Sequence, residues 1–501
     1  MAEKRTMSTA SPPTAVVDIG SNSTRLVVYD TSDRSPIAIF NEKLLCGLGR
    51  GLDATGQLSE EGIEQALGAL PRFMRIAQEM GVQRIDMLAT AATRDATNGA
   101  EFVRRASQIS GQEIRVLSGE EEARLSGLGV LSGTPDADGM MGDLGGGSVE
   151  LVELKDGQTG PQATLPLGPL RLDPKIVAKP SKAREDLDRY FSTIDWLPRI
   201  KGRSFYLVGG AWRNLARLHM DHINYPLHII HHYRIPAAQA LELADVVSRQ
   251  SPGALQRVPG VSKRRVDTLP YAAMLLHRLM VAGAPKDIVF SANGLREGCL
   301  YDHLSQEERK LDPLLESCAR YADHELPNSA VTGDDLFRWM TPLFPNETPA
   351  DRRLRHAACI LSDIAKREHP DYRAEHALIR VKRLPVVGVD HHERVFLALA
   401  VSSRHAQIDD EHNGMKIVRH LINPDRIDDA RAIGLSIRLA YTLTGGISSV
   451  LERINMVRTE TTLTLQMPAD LAFLAGEAVE RRFVTLGKAL NLNTVIDRFG
   501  A

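Results

Sequence analysis

Asp18 and Asp143 stand 125 residues apart in near-identical settings. Residues 17–29 read VDIGSNSTRLVVY and residues 142–154 read GDLGGGSVELVEL. Aligned without a gap, they share Asp18/Asp143, Gly20/Gly145, Ser23/Ser148, Leu26/Leu151 and Val27/Val152. Each copy is an apolar run, an Asp, a Gly-bearing turn with a Ser, and a second apolar run, which is the pattern of a β-hairpin. Glycine lets a backbone approach a ligand closely and adopt positive φ. Successive N–H groups in such a turn form an anion-binding nest. The first turn offers Gly20, Ser21, Asn22 and Ser23, with Thr24 and Arg25 following; the second offers Gly145, Gly146, Gly147 and Ser148. A carboxylate at the base of each suits a hard divalent cation such as Mg²⁺. Singly, each turn reads as an ordinary hairpin and each Asp as a turn-stabilising residue. Their duplication favours two tips that clamp a phosphate chain and its metal between two lobes.

Other candidates lie at strand ends. Glu150 occupies the place that Arg25 holds in the first copy. This charge reversal suggests divided labour: Arg25 on phosphate, Glu150 on the metal or on a water. The plainer alternative is two solvent-facing strand residues. Ser118-Gly119-Glu120-Glu121 matches a capping box, yet a helix N-terminus at a strand-to-helix corner can also aim a carboxylate into a cleft. Spacing leaves both readings of Glu121 open. Thr93 and Arg94 end the run Thr90-Ala91-Ala92-Thr93-Arg94, a hydroxyl and a fork-shaped donor suited to phosphate. Gly209-Gly210 forms a third Gly turn ahead of a helix with Arg213, and Arg296 lies beside Gly294 and Gly298. His219, His222, His228, His231 and His232 crowd together, but no Cys adjoins them and Tyr and Pro interrupt any helix face, so a structural role is expected.

The elements that must hold these residues alternate. Strands are expected at Ala15–Val17, Arg25–Tyr29, Ile37–Lys43, Arg84–Ala89 and Ile114–Leu117, and helices at Ser59–Met80, Gly99–Ser110 and 118–131. The second half repeats the plan: strands Met140–Met141, Val149–Leu154, Gln162–Pro166, Phe205–Val208 and Asp287–Phe290, with helices Lys182–Asp195, Ala237–Arg249 and Tyr271–Val281. This is an α/β arrangement with mixed sheets. After residue 306 amphipathic segments dominate (Glu307–Ala322, Arg352–Arg367, Arg394–Arg404, Asp428–Leu443). Two β-rich runs (Val450–Val457, Thr461–Gln466) and a helix over Leu471–Leu490 close the chain. The expected division is a disordered lead-in over 1–13, α/β domains over 14–131 and 132–305, a helical domain over 306–445 and a small α+β domain over 446–501.

Bulk composition excludes several classes. In 501 residues, 61 Lys and Arg nearly balance 63 Asp and Glu, so no global basic field points to nucleic acid or a membrane surface. Local basic clusters (Lys263-Arg264-Arg265, Arg352-Arg353-Arg355, Arg380-Lys382-Arg383) remain, and any one of them reads best as a solvated helix face. Four scattered cysteines, none in a CxxC pair, suggest a reducing compartment and no structural zinc. No apolar run of about 18 residues exists to span a bilayer.

The segments VDIGSNSTRL, ATAATRDA, LSGEEEARL, GDLGGGSVEL, the VGG turn and ANGLREGCLYD, in this order over residues 14–305, resemble the exopolyphosphatase / guanosine pentaphosphate phosphatase (Ppx/GppA) family. That family belongs to the actin, hexokinase and heat-shock-70 superfamily. The resemblance implies two actin-like (ribonuclease H-like) domains with an interdomain cleft, then a helical HD-like domain and a small C-terminal domain. It implies hydrolysis of a terminal phosphoanhydride of inorganic polyphosphate, or alternatively of guanosine pentaphosphate. Glu121 is implied as general base and Glu150 as second essential carboxylate. Asp18, Asp143 and Glu150 are implied at Mg²⁺, with K⁺ as an additional candidate ion, and the Gly turns at phosphate. A homodimer is implied too; the cysteine usage points to the cytoplasm, and the Arg-rich helical region is expected to hold the rest of the polyanion. Three departures stand out: Thr24-Arg25 after SNS, bulky Trp212 at the third Gly turn, and no His-Asp dipeptide anywhere, so no catalysis is expected of the HD-like domain.

Overall fold

A computed structural model of the chain describes residues 11–171, 180–258, 263–325, 332–408 and 412–499. Most of the expected lead-in, residues 1–10, and the side chains of Lys263-Arg264-Arg265 lie outside that description. The last three lead-in residues are tied down: Ser11 Oγ donates to Asp33 at 2.5 Å, and the Pro13 carbonyl accepts from the Gln83 N–H at 3.1 Å.

The chain divides into two compact units, Met1–Leu311 and Asp312–Ala501. The first holds two sheets built to one plan. Strands β1 (Thr14–Ile19), β2 (Thr24–Tyr29), β3 (Ala38–Leu44), β4 (Arg84–Ala89) and β5 (Ile114–Val116) lie in the order β3-β2-β1-β4-β5. Strands β6 (Gly139–Leu144), β7 (Val149–Lys155), β8 (Gln158–Leu165), β9 (Ser204–Val208), β10 (Tyr233–Pro236) and β11 (Asp287–Phe290) lie in the order β10-β11-β9-β6-β7-β8. Setting β10 aside, the orders match strand for strand. In each sheet a three-stranded antiparallel meander is followed by parallel strands. Only β10 was not expected; it ends in Pro236 at the sheet's edge, the place a strand tolerates proline.

Helices cover both faces of these sheets, so β1 alternates between two cores. Ala15, Val17 and Ile19 pack under the helices Glu60–Glu79 and Gly99–Ser110. Val16 joins a second core made with Leu125, Leu128, Cys299 and Leu300. That second core is shared by both sheets, because β5 and β11 each lead into a helix, Gly119–Gly133 and Leu295–Asp302, and the two helices pack on one another. Glycines permit the close approach: a Cβ on Gly298 would fall 1.7 Å from the Leu125 carbonyl oxygen, and one on Gly129 2.1 Å from that of Gly294.

The second unit is mainly helical, with a three-stranded sheet in the order β12 (Asn455–Arg458), β13 (Thr462–Pro468), β14 (Asn493–Phe499). The expected boundary at 445/446 falls inside this unit, where Trp339 Nε1 donates to the Ile454 carbonyl at 2.9 Å. The expected helix over 307–322 is two helices, Gln306–Lys310 and Pro313–Glu325, broken before Pro313. The first two residues of the first β-rich run, 450 and 451, belong instead to a helical turn, Ser448–Leu451. The closing segment breaks at Gly476, leaving the helix Glu477–Ala489 and the strand β14, which was not expected. Most of the basic clusters here are internally neutralised. Arg355 is wholly buried with both donor edges on Glu347 (2.8 and 2.6 Å), Arg353 donates to Asp312, and Arg380 lies 3.8 Å from Glu368. The reading of the Arg352-Arg353-Arg355 cluster as a solvated helix face is therefore corrected at Arg355.

Candidate active site

The hairpin turns close identically. The Gly20 N–H donates to the Ser23 carbonyl at 3.0 Å, and the Gly145 N–H to the Ser148 carbonyl at 3.0 Å. Register pairs Asp18 with Arg25 and Asp143 with Glu150. The two tips meet. A Cβ on Gly146 would stand 3.3 Å from Ser21 Cβ and 3.6 Å from Asn22 Cβ, and one on Gly147 3.0 Å from Ser21 Oγ. Absent side chains at 146 and 147 are what let the tips close.

Carboxylates and guanidiniums gather behind the tips. Arg296, near the start of its helix, donates from Nη1 to Asp18 Oδ2 at 2.8 Å. Burial works against its charge, but Glu297 and Asp18 more than offset this and hold its pKa above the usual value. Asp143 accepts from Ser126 Oγ at 2.9 Å, and burial raises its pKa. Glu150 is sealed from solvent, and its Oε1 has no hydrogen-bond partner among the described residues. Burial, reinforced by Glu122 and Asp143, pushes its pKa well above the carboxylate range. Gly209 carries φ +105°, and a Cβ there would lie 2.6 Å from the Leu144 carbonyl and 3.2 Å from Asp143 Oδ1. The third Gly turn thus abuts the second hairpin. Gly210 contributes a carbonyl to Asn214 at 3.0 Å.

Glu121 does not point to this cluster. It sits at the third position of its helix, where its N–H donates to Ser118 Oγ at 3.1 Å and its carboxylate accepts from the Ser118 N–H at 3.2 Å. The capping box consumes it. Its neighbour Glu122 is buried, accepts from Arg94 Nη1 at 3.2 Å, and shares a helix face with Ser126. Burial lifts its pKa to about 7, with Asp143 and Asp18 adding and Arg94 opposing.

The remaining expected residues divide. Thr93 is buried with its hydroxyl unpartnered among the described residues. Arg94 also donates to the Leu117 carbonyl at 3.1 Å. Ser148 is buried and bonded to Glu150. Thr24 is wholly buried and accepts from Cys46 Sγ at 3.6 Å, so it braces the hairpin and does not face the cleft. Arg25 is half-buried, donating to Asn41 at 2.7 Å, and burial lowers its pKa. The histidines are structural where their partners are seen: His219 bonds Tyr233 Oη at 2.6 Å and His228 lies 3.6 Å from Asp221.

Sequence reasoning passed over Glu122, Ser126 and Arg171, and noted Arg213 only as following the third Gly turn. The first two were findable, because a capping box assigns Glu121 and leaves 122 and 126 one turn apart on the inward face. Arg213 donates to the Ser291 and Ala292 carbonyls, and burial, then Arg296, lowers its pKa to about 10. Arg171 bonds Asp95 and lies 3.6 Å from Asp53, linking the second hairpin's surroundings to the first lobe. It also lines a cavity of about 680 Å³ with Tyr190, Tyr271 and Arg189.

Two lobes of one strand order, with Gly-rich tips meeting over a carboxylate cluster, define a two-domain actin-like phosphotransfer fold. The chain belongs to the Ppx/GppA phosphatase family, whose model matches residues 27–307; a model described as the exopolyphosphatase C-terminal domain matches residues 328–494. The chain is 26% identical over 439 residues to Retrograde regulation protein 2 of Saccharomyces cerevisiae, covering 78% of this chain and 72% of that protein. Among solved structures it is similar to the Aquifex aeolicus PPX-GPPA enzyme (25% identity, 58% of this chain, 99% of that chain, TM-score 0.50). It shares the fold of an exopolyphosphatase from Cytophaga hutchinsonii (22% identity, 58% of this chain, 96% of that chain, TM-score 0.51). The family is one of hydrolases and is generally metal-dependent. No helix among the described residues is long and apolar enough to cross a membrane.

Proposed function

We propose that the protein is an exopolyphosphatase, releasing terminal orthophosphate from linear polyphosphate, and that Glu122 in place of Glu121 is its general base. The observation that carries this reading is Glu122 itself: buried, next to Arg94 and the Asp143 cluster, with a pKa of about 7. A base poised there takes a proton from water at physiological pH. The water attacks the terminal phosphorus in line. Arg94 holds Glu122 and offers further donors to the phosphoryl oxygens. N–H groups of the two tips oppose charge on the departing chain. Asp18, Asp143 and Glu150 fit a hard divalent ion, Mg²⁺ by chemistry: each of the two Asp has one oxygen engaged by Arg296 or Ser126, and Glu150 presents an orphaned oxygen. Such an ion, when bound, supplies charge compensation for phosphate oxygens. K⁺ and a homodimer rest on the resemblance alone, and a cytoplasmic site on the unpaired cysteines.

The test is phosphate release from long polyphosphate. Glu122→Gln should lower kcat by about 10²–10⁴, while Glu121→Gln stays within about threefold, the loss being a cap. An active Glu122→Gln variant would refute the mechanism. A second reading, removal of the 5′ γ-phosphate of guanosine pentaphosphate, is favoured by the cavity lined by Arg171. Its volume is within the range of small-molecule sites, and Tyr190 and Tyr271 line it. Side-by-side kcat/KM on both substrates decides between them.

A further inference from the structure

The helix Leu295–Asp302 does more than carry Arg296. Arg296, Cys299 and His303 are spaced by three and four residues, so they form one stripe along that helix and its C-cap. The stripe runs along β1 and β4. At one end Arg296 meets Asp18, which pairs with Leu88 in the sheet. At the other, His303 Nε2 lies 3.4 Å from Asp86 Oδ1, and Asp86 pairs with Val16, two residues further from the phosphate tips. Cys299 Sγ lies between, 4.0 Å from His303 Nε2. One ligand-type atom from each of Asp86, Cys299 and His303 falls within 4.8 Å of the others.

We propose that Asp86, Cys299 and His303 form a second metal site, for a Zn²⁺-class transition ion, which anchors the helix that delivers Arg296 to the cleft. The donor set is one thiol, one imidazole and one carboxylate, which suits borderline-soft ions and not Mg²⁺. Ligands on a tetrahedral zinc lie about 3.4–3.8 Å apart, so the widest edge closes by roughly 1 Å. Three protein ligands leave the fourth position to water. Cys299 is buried and His303 is partly exposed, which gives the ion an entry side and a dry side.

Binding breaks the Cys299 S–H bond, forms a sulfur–metal bond and sends the proton to solvent. Burial, with Asp86 adding, holds that thiol's pKa up at about 12 before metal arrives. Arg84, Arg115 and Asp302 also face the pair. Arg84 Nη2 contacts both Asp86 oxygens (3.2 and 2.9 Å), so the ion displaces it from one of them. Burial lowers the His303 pKa, which favours the neutral form that ligates.

The experiment titrates Co²⁺ into the reduced, metal-free full-length protein and reads absorbance. The wild type should take up a single equivalent with a near-ultraviolet thiolate-to-Co²⁺ band that Zn²⁺ abolishes by displacement. Cys299→Ser should lose the band. His303→Ala, a change at a partly exposed position, should weaken binding by more than about tenfold, since even outer partners of metal ligands are worth that much. Zn²⁺ should raise the Tm of the wild type and leave that of His303→Ala unmoved. No thiolate band in the wild type, or a band that survives in Cys299→Ser, overturns the proposal.

Discussion

The two hairpins have one backbone and two chemistries. Both close with the same Gly-to-Ser hydrogen bond and present an Asp at the same register. Opposite that Asp, the first copy has Arg25, half-exposed and leaning on Asn41, while the second has Glu150, buried with an orphaned oxygen. The nest of N–H groups serves any phosphate, so it repeats. The charge beside it decides what else the copy holds, and a site with one attacked phosphorus needs that only once. The shared core reinforces the asymmetry: Glu122 and Ser126, from the first lobe's last helix, lean toward the second lobe's carboxylates.

The comparison breaks hardest at position 150. Glu150→Arg gives the second hairpin the first one's residue, placing a cation in a wholly buried site. We expect loss of activity beyond about 10³-fold and destabilisation of roughly 3–5 kcal/mol, read by phosphate release and chemical denaturation. Glu150→Gln separates the two effects. Burial and the neighbouring carboxylates favour the neutral form of its carboxyl, so the amide should melt near wild type while Mg²⁺-induced stabilisation disappears. Mg²⁺ raising the Tm of Glu150→Gln as much as that of the wild type would remove Glu150 from the ion's ligands.

Next in size is the pH dependence of Glu122. A base with a pKa near 7 makes kcat rise through pH 7 and level above it. Stability runs the other way. The folded state holds this proton more tightly than the unfolded chain, so its contribution is full below pH 4.5 and lost as pH rises through about 7, on the order of 3 kcal/mol. Glu122→Gln should flatten that slope in urea melts between those values. An unchanged slope would mean that the carboxyl titrates normally.

Smaller again is the helix contact that joins the lobes. Gly298→Ala drives a methyl into the Leu125 carbonyl, so the helices must part. A cost of about 1–3 kcal/mol is expected, with Tm falling and kcat reduced because Arg296 and Glu122 ride on the separated helices. Gly68→Ala, in the helix Glu60–Glu79 with open space around its Cβ, should leave both unchanged or raise Tm.

What could be read in the sequence follows from the range of the forces involved. Hairpins, Gly turns and most helices obey local rules, so the strands of both lobes, β10 apart, were legible; that the two tips meet was an expectation drawn from their duplication. Glu121 illustrates the limit. A family motif pointed to it, yet the capping box, a local rule, had already assigned its carboxylate to Ser118. Arg171 and the orphaned oxygen of Glu150 depend on residues tens of positions away, and no spacing announces them. Arg355 shows the converse error, since a basic cluster reads as surface until Glu347 is found to enclose it.

Arg25 gives the smallest and sharpest test of divided labour. If it serves only to attract and steady phosphate, Arg25→Gln removes one half-exposed charge from the cleft's edge. Such a charge is worth about 0.5–1 kcal/mol, so KM for polyphosphate should rise about two- to fivefold with kcat unchanged, and the effect should shrink as salt screens it. Burial and Arg296 oppose the Arg25 charge while Glu297 and Asp18 favour it, so removing Arg25 should change the stability of the fold little. A fall in kcat with constant KM would show instead that Arg25 acts in the transition state, and the two hairpins would then share the chemistry as well as the grip.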